Sequence, residues 1–106
     1  MSLPRIVPIG LMLLSLGAQA QDAAAGRTMA RQCAPCHGLL GLSNQPEIPN
    51  LAGQPPAYIT AQLRAFRAGT RRNEVMAVMA KTLNDDEIAN LSAWFSSIRL
   101  EAQAPP

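Results

Sequence analysis

Apolar residues recur at helical spacing along this chain, and nowhere do they alternate with polar ones as in a half-buried strand. The clearest stretch opens at Asn84-Asp85-Asp86-Glu87, where a capping residue stands three before a glutamate. Ile88, Leu91, Phe95 and Ile98 then follow at i, i+3, i+7 and i+10, with Trp94 beside them. The pattern predicts a helix opened by a capping box, with acidic side chains at its positive end. Upstream, Tyr58, Ile59, Gln62, Leu63 and Phe66 share a face at the same period. That helix is expected from about Pro56, since proline suits a first turn, to Ala68, with Gly69 as the stop. A further helix is expected from Asp22, as N-cap, to Gln32. Gly26 interrupts it, and glycine inside a helix costs about 1 kcal/mol relative to alanine, so another element is expected to pack close there. The Met-rich run from Glu74 to Lys81 fits one or two helical turns.

Between these segments lies a long stretch of turn formers: Gly38, Gly41, Ser43, Asn44, Pro46, Pro49, Gly53, Pro55 and Pro56. A segment this long without regular structure, in a small domain, usually has a function or wraps something. No repeat, alternating pattern or linker interrupts the chain, and the fold class is therefore all-α.

The first twenty residues read as a secretory signal peptide. Arg5 is its only charge, Ile6 to Leu16 is apolar apart from Ser15, and Ala18-Gln19-Ala20 is a small-x-small cleavage site. A bilayer span needs about 20 apolar residues; this stretch is shorter and carries Pro4 and Pro8. Cleavage near Ala20 is expected, which leaves a domain at 21–100, a flexible tail at 101–106 and no stable membrane span. Nine Lys/Arg against seven Asp/Glu give a formal net charge of +2, and Arg5 belongs to the leader. A nucleic-acid surface needs a strong basic patch with reading elements, and nothing here supplies one. Arg64, Arg67, Arg71 and Arg72 gather at the end of the second helix, where the dipole favours cations; the alternative is that one of them pairs with a propionate of a bound group or meets an acidic partner.

The chemistry is concentrated in Cys33-Ala34-Pro35-Cys36-His37. Two cysteines at i and i+3 with a histidine next read as a c-type haem attachment site. Thiols one helical turn apart can add to two vinyl groups on neighbouring pyrroles of one porphyrin, and the adjacent imidazole can take an axial position on iron. These are the chain's only two cysteines, so they cannot staple distant parts of a small fold. A haem would, as an apolar plate around which short helices pack. His37 is the only histidine, which excludes a bis-histidine haem within one chain. Of five methionines, Met1 and Met12 leave with the leader, and Met29 stands four before Cys33, poorly placed to reach the opposite haem face. Met76 and Met79 remain, three apart, and composition does not choose between them or exclude core filler. Other uses of the motif fit worse. A thiol-disulfide oxidoreductase through Cys33 and Cys36 belongs near a βαβ pattern, which is missing. A structural zinc site takes four ligands, and a fourth is lacking.

These residues resemble the small class I bacterial cytochromes c, most closely a single domain of the cytochrome c4 and c553-like group. The resemblance runs from Gly26 to Ile98. It is carried by Cys33-Ala-Pro-Cys-His-Gly38, Ile48-Pro-Asn-Leu-Ala-Gly-Gln54, Tyr58…Gln62…Phe66…Gly69, Asn73-Glu-Val-Met76 and Leu83-Asn-Asp-Asp-Glu-Ile88…Leu91-Ser-Ala-Trp-Phe95. It implies three main helices and a short Met-bearing segment wrapped around one covalent haem c. It also implies His37 and Met76 as axial ligands, because Met76 stands seven before Leu83, and it leaves Met79 as packing. Pro49 is implied to offer its carbonyl to the other nitrogen of His37. Gly26 is implied to meet Trp94 or Phe95 where the first and last helices cross. The function implied is a periplasmic mono-haem electron carrier between redox partners (reductase, oxidase or dehydrogenase). It would not be an enzyme by itself, although it could be the cytochrome subunit of a dehydrogenase. Leu39, Leu40 and Leu42 depart from the polar residues common after this motif; they cover the porphyrin or form an apolar rim for docking.

Overall fold

The computed structural model describes Met1 and residues 21–106, so the expected leader, its first residue apart, lies outside the described residues. Helices α1 (Ala23–Met29), α2 (Ala34–His37), α3 (Pro56–Ala68), α4 (Glu74–Lys81) and α5 (Asp85–Ser97) follow in order, and a 3₁₀ turn at Ala30–Gln32 joins the first two. No strand occurs among the described residues. Residues 101–106 form no regular element and are exposed.

Local chemistry sets the ends. Asp22 Oδ1 accepts from the backbone N–H groups of Ala24 and Ala25 at 2.9 and 3.1 Å, and so starts α1. At α5 the Glu87 N–H donates to Asn84 Oδ1 at 2.8 Å while the Asn84 N–H donates to Glu87 Oε2 at 2.9 Å, a complete capping box. Gly69 closes α3 in the left-handed region, at φ 79°. The first helix does not run unbroken from Asp22 to Gln32 as its sequence suggests. In a continuous helix the Pro35 ring would strike the Arg31 carbonyl, so the chain tightens into the 3₁₀ turn and restarts after Cys33.

Packing sets the rest. Ala30, Ile59, Leu83, Ile88, Leu91 and Phe95 form the core, with Met29, Cys33, Leu51, Leu63, Trp94 and Ile98 packed against it. Helices α1 and α5 cross at Gly26, where a β-carbon would overlap the Asn90 carbonyl and lie 2.9 Å from Trp94 Cβ. The aromatic at this crossing is therefore Trp94, whose ring also lies beneath the Arg27 guanidinium, 5.4 Å from the centroid. Phe95 turns the other way, toward Gly41, whose β-carbon would stand 3.0 Å from its ring. The expected face of α3 splits. Ile59, Leu63 and Phe66 point inward, whereas Tyr58, one residue round the helix from Ile59, is exposed. Ser92 is fully buried, yet its hydroxyl donates to the Ile88 carbonyl and meets the Thr60 hydroxyl, which leaves it satisfied.

Candidate haem site

Cys33 ends the 3₁₀ turn, and its carbonyl accepts from the His37 N–H at 2.8 Å. One helical turn therefore carries Cys33, half-buried, Cys36, exposed, and His37, only 7% exposed. Gly38 follows at φ 84°, and a β-carbon there would overlap the Leu42 carbonyl, so only glycine lets the chain turn this tightly after the histidine.

His37 Nδ1 lies 2.8 Å from the Pro49 carbonyl oxygen. A carbonyl only accepts, so Nδ1 carries the proton and the Nε2 lone pair is left free for a metal. The loop between them is tied back on itself. The Gly41 carbonyl accepts from Leu51 and Ala52 at 2.7 and 3.0 Å, and Ser43 donates its N–H to Asn50 Oδ1 at 2.7 Å. Gln54 Nε2 reaches the Asn50 carbonyl at 3.3 Å, and Gly53 donates to the Phe95 carbonyl at the end of α5 at 2.9 Å. Sequence reasoning gave Asn50 no role beyond its place in a motif. Its side chain spans the loop just after Pro49, and asparagine's habit of bonding nearby backbone was the available signal.

Met76 and Met79 both ride on α4 and both are half-buried, while Val75 and Val78, each just before one of them, face solvent at 65% and 68% exposure. Asn73 caps α4 by accepting the Met76 N–H at 2.9 Å. Met29 packs against the core. The arginines divide. Arg67 and Arg64 face Asp85 at 2.6 and 3.7 Å, and Arg71 lies over the Phe66 ring at 4.5 Å and donates to Gln62. Arg67, with the charge of Arg64 added, holds the Asp85 carboxyl below its ordinary range.

Burial, and then the neighbouring Cys36, push the Cys33 thiol upward. That is the wrong direction for a thiolate nucleophile in disulfide exchange. Among the described residues no three or more His, Cys, Asp or Glu converge as a metal cluster. The residues do fit a haem. Two cysteines sit one turn apart beside an imidazole whose Nδ1 is held by the Pro49 carbonyl, and Leu39, Leu40 and Leu42, directly after the motif, are exposed apolar side chains.

The comparisons with known proteins agree. The family model for cytochrome c matches residues 23–99. The chain is 40% identical over 81 residues to cytochrome c-554(548) of Halomonas halodenitrificans, covering 74% of this chain and 98% of that one. It is 37% identical over 70 residues to a thiosulfate dehydrogenase electron acceptor of Stutzerimonas stutzeri, covering 63% of this chain and 32% of that protein. Among solved structures it superposes on reduced recombinant cytochrome c4 from Pseudomonas stutzeri with a TM-score of 0.71 and 35% identity, over 76% of this chain and 47% of that one. It thus spans nearly all of the first relative and under half of the other two. The chain belongs to the cytochrome c family, with the all-α class I fold of the c4 type. It is an electron-carrying protein, and membership implies a covalent haem c.

Proposed function

We propose that the chain is a periplasmic mono-haem electron carrier, its haem c attached through Cys33 and Cys36 and its iron held between His37 and Met76. Haem bound there supplies a one-electron ferric/ferrous couple. The observation that carries this reading is the 2.8 Å contact of His37 Nδ1 with the Pro49 carbonyl, made within one helical turn of Cys33 and Cys36. It orients the imidazole and presents Nε2 alone. Met76 is preferred to Met79 because it stands seven residues before Leu83, the position the c4-like pattern reserves for the ligand. A thioether there favours the ferrous state and raises the potential, and a closed sixth position suits electron transfer rather than peroxide chemistry.

Electrons pass to and from other proteins, and exposed Leu39, Leu40 and Leu42, directly after the motif, supply an apolar rim for such contacts. Partners of the reductase, oxidase or dehydrogenase type are proposed. The dehydrogenase class, with this chain as free carrier or as cytochrome subunit, draws support from the relative named as a thiosulfate dehydrogenase electron acceptor. Export to the periplasm is supported by the leader pattern in residues 1–20.

The test of the ligand set is a pair of substitutions in exported holoprotein. Met76→Ala is expected to abolish the sulfur-to-iron charge-transfer band of the ferric form, and Met79→Ala to keep it. The reverse pattern overturns the assignment to Met76.

A further inference from the structure

We infer that Arg67 is a positioning residue for the methionine-bearing helix: its guanidinium, reaching from α3, locks the exit of α4 and the start of α5 in place. The inference deepens the proposed function and rests on its reading that an α4 thioether is the second axial ligand.

Helix α4 has eight residues, too few to be stable alone, so its position depends on the contacts that pin it. It packs on α3. Its entrance is fixed by Asn73. At its exit the Leu83 N–H donates to the Ala80 carbonyl at 3.1 Å, and the Leu83 side chain is buried in the core. The Leu83 carbonyl points instead to Arg67, whose Nη1 donates to it at 3.0 Å. Nη2 of the same guanidinium donates to Asp85 Oδ1 at 2.6 Å. One side chain on α3 therefore holds the two residues that flank Asn84, the cap of α5. A rigid planar fork reaches both at once in a fixed geometry, which the rotating ammonium of lysine does not supply.

Arg64 provides the contrast. It approaches the same carboxylate at 3.7 Å with its side chain 53% exposed, an arrangement worth little. The Arg67 side chain is 30% exposed and also holds a main-chain carbonyl. A movement of α4 at its exit bends the chain at residues 82–84, and that is where Arg67 grips, on the Leu83 carbonyl and the Asp85 carboxylate. Its role is to keep the thioether seated while the protein changes oxidation state or meets a partner.

The test uses ferric holoprotein and imidazole, an added ligand that binds only when the thioether leaves. Arg67→Ala is expected to tighten apparent imidazole binding about tenfold, the order expected for losing the charged guanidinium's hydrogen bond to the Leu83 carbonyl, with the solvent-exposed pair to Asp85 adding little. Arg67→Lys should give an intermediate value, and Asp85→Asn a smaller one. Asp22→Ala, which removes the cap of α1 remote from α4, serves as a control that lowers global stability; it should leave imidazole affinity within about twofold of wild type, as additivity for distant sites requires. Hydrogen exchange of the Ala77–Lys81 amides should quicken in Arg67→Ala but not in Asp22→Ala. If Arg67→Ala matches wild type, or if every variant tightens imidazole only in proportion to lost stability, the inference is overturned. The ligand assignment fails separately. Should Met79→Ala rather than Met76→Ala abolish the charge-transfer band, Met76 is wrong while Arg67 keeps its role, because both sulfurs ride on α4. Should neither methionine matter, both readings fall.

Discussion

The α1–α5 crossing and the α4 arm are held by opposite means. At the crossing the chain closes on itself. Gly26 lets the helices touch, the Asp22 N–H donates to Asn90 Oδ1 at 2.9 Å, and Ile88, Leu91 and Phe95 are almost wholly buried. On the arm, Val75 and Val78 face solvent and two methionines are half-buried; only Ala80 and Leu83, at its exit, reach the core, and the ends are pinned by polar contacts from Asn73 and Arg67. A frame specified by its own side chains thus carries a short segment specified by a few polar contacts. That division suits a site whose ligand must be held firmly by a fold too small to bury it on every side.

Gly26→Ala breaks the comparison most severely. The new methyl group overlaps a backbone carbonyl that cannot move independently of α5, so a loss of about 3 kcal/mol is expected in denaturant titration of holoprotein. A variant near wild-type stability would mean that the crossing is looser than its geometry implies. Leu39→Ser sharpens the contrast from the other direction. Leu39 is 73% exposed, so stability should change by no more than about 0.5 kcal/mol. The rate of electron exchange with a redox partner should nonetheless fall, as measured by stopped-flow mixing. An unchanged rate would remove Leu39 from the docking rim.

The smallest effect is acidic. Arg67 and then Arg64 hold the Asp85 carboxyl below its ordinary value of about 3.9. A group depressed in the folded state contributes stability that is complete above the unfolded value and is lost as pH falls through the folded one. Thermal stability should therefore decline below about pH 4, and Asp85→Asn should flatten part of that decline. An identical slope in the variant would show that other carboxylates carry it.

Much of the frame was legible because its signals are local. The Asn84–Glu87 box, Pro56 and Gly69 fix helix ends within a few residues of themselves, and Gly26 announced a crossing by lacking a side chain. What was not legible depends on tertiary geometry. The helix expected to reach Gln32 tightens into a 3₁₀ turn after Met29 and restarts with Pro35 in its first turn. Tyr58 lies at the edge of the α3 stripe and falls outside. Phe95 and Trp94 are adjacent, and only the packed helices decide that the first meets Gly41 and the second Gly26. At the site the spacing of the thiols and His37 is readable directly. The Pro49 contact joins residues twelve apart through a loop, and no local pattern links them. Arg67 was one of four arginines until the fold placed the Leu83 carbonyl before it. Met76 and Met79, three apart on one helix, share a face in sequence and a degree of burial in the structure.

Mass spectrometry of the native exported protein tests the central claim most directly. A tryptic peptide containing Cys33 and Cys36 should carry the added mass of one haem joined through two thioether bonds. The same peptide with bare thiols, or with the two sulfurs joined in a disulfide, would contradict the account.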